Sequence, residues 1–236
     1  MKKINKKFIT SIFIFFIFLL LSVSIIMANS VFDEIKFEED SEKIYYEIKY
    51  FDSEILYMLT LLNNRNSTIN WNDMQKEIKI FYNYWNSAIL DLNYLDIDKE
   101  ELTAFGKQLD QLLISVEHKN KDDVLINLVK LYEKLITYTD KINYNNYKSL
   151  LLVKYNLLLA FSIVDTENWT LIHEYILKAS KNMYTLVNLI DIDQYEQYNI
   201  NQTYVAIKEM ENIVNIKNKE LFYIKYQLAL DKLENL

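Results

Sequence analysis

The chain has 236 residues, 51% hydrophobic and 25% charged, with a formal net charge of −7 at pH 7. It contains no Cys, no Pro and a single Gly, Gly106, which excludes disulfide frameworks, zinc ribbons and cysteine nucleophiles and leaves no glycine-rich loop to cradle a nucleotide's phosphates. A sheet protein would also need turn glycines, so the fold class read from composition is all-α. Richness in Ile, Asn, Lys and Tyr, with Arg65 the only arginine, follows AT-rich codon usage, and part of the tyrosine count belongs to that bias.

The amino terminus is the most informative segment. Lys2, Lys3, Lys6 and Lys7 precede an apolar run over residues 8–27, broken only by Thr10, Ser11, Ser22 and Ser24. As a helix this run would be about 30 Å long, the thickness of a bilayer's hydrocarbon core. A secretory signal has the same order of regions with a shorter apolar part, and Ala28 and Ser30 suit a cleavage site before Val31. Residues 1–30 therefore read as a membrane anchor or an uncleaved signal, with cleavage near Ser30 and secretion as the alternative. Lysines before the run and acids after it (Asp33, Glu34, Glu38, Glu39, Asp40) keep the amino terminus inside. The expectation is a single-pass membrane protein whose residues 31–236 form an extracytoplasmic helical domain. The stretch Leu150–Val164 is read as too short, and too interrupted by Lys154 and Asn156, to be a second span. Without the four lysines of residues 1–30 the net charge falls to about −11, which argues against nucleic acid as a partner and against a helix lying flat on an anionic membrane.

Helical spacing then recurs to the end. The first exported helix is striped by Ile44, Ile48, Phe51, Ile55, Met58 and Leu62 and is ended by the polar run 63–67. Asn70 caps a second helix, striped by Trp71, Met74, Ile78, Phe81, Trp85, Ala88 and Leu92. Asp98 with Glu101 forms a capping box for a third, striped by Leu102, Phe105, Leu109, Leu112 and Val116. A fourth carries Val124, Leu128, Leu131, Leu135 and Tyr138. The fifth, about 147–164, is apolar on most sides, which suits the centre of a core. Asp165 and Thr166 are read as capping a sixth, striped by Trp169, Ile172, Ile176, Ala179, Met183, Leu186 and Ile190. One long last helix is expected to carry Ile207, Met210, Val214, Leu221, Ile224 and Leu228. About seven amphipathic helices with short links predict a mostly antiparallel bundle, with a short α-solenoid of helical hairpins as the alternative. One echo is visible, Asn70-Trp71 and Asn168-Trp169 each opening a helix that leads to an Asp-Ile-Asp turn, but little else aligns between the two spans and the echo reads as chance rather than duplication.

No chemistry assembles from these residues. His118 and His173 lack the Glu-x-x-His partners of a di-iron bundle, Ser115 and Thr170 standing three positions before them. The acidic turns 96–100 and 191–193 lack the glycine of a calcium loop and read as helix caps. With 33 acids on amphipathic faces, no carboxylate pair stands out, and no glycine-flanked serine exists. Tyrosines 45, 46, 50, 82, 84, 144, 147, 195, 198, 223 and 226 do not fit one core stripe and are weighed as either a ligand-lining surface or helix-flank packing. Glycosylation-type triplets at Asn66, Asn168 and Asn201 are set aside as chance in an Asn-rich chain whose start reads as bacterial. The sequence thus assigns no catalytic, cofactor-binding or metal-binding residue. The leading expectation is a non-enzymatic protein-interaction or structural module at a bacterial cell surface, using the first and last exported helices. The alternative is a ligand-binding or sensory module with an apolar pocket between helices.

Overall fold

A computed structural model describes residues 42–63, 68–94, 97–141, 145–189, 194–234 and 236. The anchor at 8–27, the cleavage site near Ser30 and the turn 191–193 lie outside the described residues. Every described element is helical: α1 (residues 42–62), α2 (Trp71–Tyr94), α3 (Lys99–Glu117), α4 (Lys121–Tyr138), α5 (Asn145–Ser162), α6 (Trp169–Leu189), α7 (Gln194–Ile216) and α8 (Lys219–Leu233). Short 3-10 turns follow α4 at Thr139–Lys141 and α5 at Val164–Thr166.

The stripes of α1 to α4 and of α6 face inward as their spacing requires. The positions read for α1 are all buried, as are the core positions of α2 to α4 and those of α6 from Ile172 to Leu186. Each helix from α2 onward packs on its neighbours in sequence, and α5 also meets α8. Helix α1 touches more elements than adjacency alone would give. Phe51 packs against Phe81 and Trp85 of α2 and Phe105 of α3, with ring centroids 5.4–5.9 Å apart. Tyr45 meets Tyr147 of α5 edge-on at 4.9 Å, and the Asn63 amide beyond α1 donates to Gln227 Oε1 of α8 at 2.9 Å. Gly106 permits the approach of α2 to α3: a Cβ there would stand 3.2 Å from Trp85 Nε1.

A register repeats along the chain. Asn70, Asn120, Asn168 and Asn218 stand 50, 48 and 50 residues apart and cap α2, α4, α6 and α8. Their side-chain oxygens accept backbone N–H groups of Asn72 and Asp73, of Asp122 and Asp123, of Leu171, and of Leu221. Counting from each cap, positions +4, +8, +11 and +15 are buried in all four helices. They are Met74, Ile78, Phe81, Trp85; Val124, Leu128, Leu131, Leu135; Ile172, Ile176, Ala179, Met183; and Phe222, Tyr226, Ala229, Leu233. The last three caps follow a residue in the left-handed backbone region, Lys119, Glu167 and Lys217, with φ of 55–56°. Such a residue ends a helix by turning the chain sharply; glycine does this without strain, but lysine and glutamate do it here. The Asn70/Asn168 echo is therefore two turns of a four-fold pattern, each repeat a helical hairpin (α2–α3, α4–α5, α6–α7) and α8 opening the fourth.

Four expectations need correction. The last helix is two, because Lys217 breaks it and Asn218 starts α8 afresh, which makes eight described α-helices rather than about seven. That break rotates the frame, so Leu221, Ile224 and Leu228 face solvent while Phe222, Tyr226, Ala229, Leu230 and Leu233 enter the core. Helix α6 is capped by Asn168, not by Asp165 and Thr166, which belong to the preceding 3-10 turn. The helical stretch around α5 extends over Asn146–Thr166, 21 residues, and is long and apolar enough to cross a membrane by length and composition. More than half of its apolar window is buried inside the fold, the behaviour of a core helix.

Candidate functional site

Among the described residues, the apolar interior holds one ion pair. Asp52 lies on α1 beside Phe51, and Lys154 lies on α5; both side chains are about nineteen-twentieths buried. Lys154 Nζ donates to Asp52 Oδ2 at 2.7 Å. The Tyr132 hydroxyl of α4 donates to Asp52 Oδ1, and the Tyr147 hydroxyl reaches Oδ2 at a long 3.5 Å. Both carboxylate oxygens thus have donors, the condition for keeping a charge in an apolar interior. Burial first, and then the Asp52 charge, push the Tyr132 and Tyr147 hydroxyls far above the ordinary phenol range. Both remain protonated donors. The Tyr226 hydroxyl of α8 is also fully buried and raised by desolvation, and it has no hydrogen-bond partner among the described residues.

Asp52, Tyr147 and Lys154 of this cluster line a cavity of about 380 Å³ between α1, α5 and the end of α8. Leu56, Tyr57, Leu150 and Leu233 supply apolar walls, and Lys49, Ser53 and Glu234 stand around it. The volume falls in the range of small-molecule sites. Chemically the cluster can hold and orient a charge. Asp52 is already engaged by three donors, which leaves no lone carboxylate poised as a base.

A second feature lies on the outside. Leu221, Ile224 and Leu228 form an i, i+3, i+7 stripe on α8, each 37–48% exposed, and Ile216 at the end of α7 is 64% exposed. At the equivalent register positions α2 carries Asp73, Lys76 and Ile80, α4 carries Asp123, Ile126 and Lys130, and α6 carries Leu171, Glu174 and Lys178. Each earlier repeat thus places two charges among these three outer positions, and α8 places none. On α1, by contrast, the large apolar residues left in solvent are Tyr46 and Tyr57, so the first helix offers no comparable stripe.

The residues weighed from sequence scatter. His118 is the C-cap of α3, and His173 is half-buried on α6. Asp98 accepts from the Glu100 N–H as an ordinary cap. Tyr45, Tyr50, Tyr82, Tyr84 and Tyr223 pack on the core's edge, Tyr147 and Tyr226 are buried, and Tyr46 and Tyr198 are exposed. Tyr50 stacks on Tyr84 at 3.6 Å, and burial with the neighbouring Glu54 pushes its hydroxyl up to about 12. Tyr144 and the Tyr195 side chain lie outside the described residues. Among the described residues no cluster of three or more His, Asp or Glu side chains could hold a metal ion. The Asp52–Lys154 pair went unread because its members are 102 residues apart; the available signal was Lys154 within the most apolar stretch of α5. No family model, characterised protein or solved structure matches the chain.

Proposed function

We propose that this chain is a membrane-tethered, extracytoplasmic, non-enzymatic module at a bacterial cell surface that acts by binding a protein partner. In this reading residues 8–27 are the tether, residues 1–7 stay inside, and residues 31–236 work outside the cytoplasm. Cleavage near Ser30 would release the same module. Its architecture is a short solenoid of three hairpins and a half, packed against α1. The four-fold register and the packing of each helix on its sequence neighbours favour this arrangement over a simple antiparallel bundle.

The observation that carries the functional reading is the apolar outer face of α8. A terminal repeat facing water needs a polar outer surface, yet Leu221, Ile224 and Leu228 make all three outer positions apolar where each other repeat charges two of the three. Their 3-4 spacing suits one occupant in particular, an amphipathic helix of the partner laid along α8. The acidic balance of residues 31–236 adds attraction for a partner with basic flanks. The test is a photo-crosslinking residue at Ile224, with the equally exposed Ile126 as control, in membranes of the native host. A discrete adduct at Ile224 that is absent at Ile126 and lost on Leu228→Glu supports the reading. Indistinguishable adducts at the two positions contradict it.

A further inference from the structure

Lys154 is short of acceptors. Its side chain is 6% exposed, and its ammonium carries three N–H donors, of which Asp52 Oδ2 takes one. No second acceptor for it appears among the described residues, although leaving charged donors buried and unmatched is costly. Lys154 also lines the cavity between α1, α5 and α8. Asp52, its neighbour, is in the opposite condition: Tyr132 holds Oδ1, and Lys154 with Tyr147 holds Oδ2. The cavity's polar wall is therefore rich in donors and poor in free acceptors.

We propose that this cavity binds an amphipathic monocarboxylate, its head on Lys154 and its apolar body against Leu56, Tyr57, Leu150 and Leu233. A carboxylate supplies the missing acceptors, and a charge-assisted hydrogen bond to a desolvated ammonium is stronger than a neutral one. The exposed Lys49 and Glu234 stand at the cavity with opposite charges that offset each other, so selectivity rests on the buried Lys154. An amine of the same shape brings further donors to a wall where the buried Asp52 oxygens are already engaged, and Glu234 at the cavity is solvent-exposed and therefore a weak partner. A doubly charged phosphate is matched less well, because Asp52 already balances Lys154's single charge and two further negative charges would be brought beside that neutral pair. The leucine walls require an acyl or aryl body rather than a small hydrophilic acid. This site is separate from the α8 outer face and does not depend on it.

The experiment uses the full chain in lipid nanodiscs, with empty discs as the blank, titrated calorimetrically with 4-phenylbutyrate and with its charge-reversed analogue 4-phenylbutylamine. The acid is expected to bind saturably and at least about tenfold more tightly than the amine. Lys154→Gln should weaken acid binding about tenfold. Because that change also touches the buried pair, Ser53→Trp is the second variant: Ser53 is exposed at the cavity, so filling it blocks entry while the unfolding midpoint stays at the parent value. Absence of saturable heat from the acid would overturn the proposal. So would a binding curve that the amine shares, or one that Ser53→Trp leaves unmoved in a folded protein.

Discussion

Replacing Lys154 by Met tests the buried cluster through stability. The substitution keeps the side chain's length and apolar contacts and removes only the charge that faces Asp52. Breaking a buried pair by deleting one partner costs about 3–5 kcal/mol, because the remaining charge stays desolvated. Here Asp52 keeps the Tyr132 hydroxyl and the longer bond from Tyr147, which places Lys154→Met near the low end, about 3 kcal/mol. For a fold of this size that lowers the melting temperature by roughly 6–12 °C. The double variant Asp52→Asn/Lys154→Met removes both charges while the new amide oxygen still accepts from Tyr132. It should cost only about 1–2 kcal/mol, giving a coupling of about 2–3 kcal/mol or more in the cycle. Urea and thermal unfolding followed by far-ultraviolet circular dichroism read all four proteins. A loss below about 1 kcal/mol for Lys154→Met, or additivity of the two single changes, would refute the reasoning.

Three further outcomes follow from the same geometry. Lys119, Glu167 and Lys217 hold positive φ, so Gly at each should stabilise the fold by about 0.5–1 kcal/mol, additively, whereas Lys→Gly in the middle of a helix should cost about as much. Gly106→Val should destabilise by about 2 kcal/mol, since even a single Cβ there stands 3.2 Å from Trp85 Nε1; an unchanged melting temperature would mean that α2 and α3 are not in contact there. Burial first, and the Glu77 charge in addition, raise the Glu54 carboxyl despite the hydrogen bond from Tyr50. A raised carboxylate destabilises the fold while ionised, and that penalty fades as the pH falls through its folded value toward the ordinary 4.5. Glu54→Gln should therefore raise the melting temperature at neutral pH and leave it unchanged below 4.5, a difference that a pH series of melts detects.

Much of the fold was legible because it rests on local period. The stripes of α1 to α4 and the buried run of α6 follow from i, i+3, i+4 spacing, and Asn70 was readable as a cap from its position before an apolar stripe. Only the Asn70/Asn168 echo of the repeat was visible, and Asn120 and Asn218 were not recognised as its other members, because the register is carried by a cap and by burial rather than by residue type: position +4 is Met, Val, Ile and Phe in turn. The break at Lys217 was hidden for a related reason. A glycine would have marked the left-handed turn, and this chain places a lysine there, so Val214 and Leu221 read as one continuous heptad step. That single misreading moved Leu221, Ile224 and Leu228 from the surface to the core. Asp52 and Lys154 were individually visible, but their pairing depends on how α1 and α5 pack, which no local pattern encodes.

The central claim, an extracytoplasmic module whose α8 face is covered by a partner, can be tested in one labelling experiment, because the native chain has no cysteine. Ile126→Cys and Ile224→Cys place single thiols at positions 49% and 48% exposed, and intact host cells are treated with a membrane-impermeant maleimide. The account predicts that Cys at 126 labels in intact cells, while Cys at 224 is protected there and labels fully in the purified protein. Equal labelling of both in intact cells would show an uncovered face, and labelling of neither before lysis would place the domain inside the cell; each result would contradict the account.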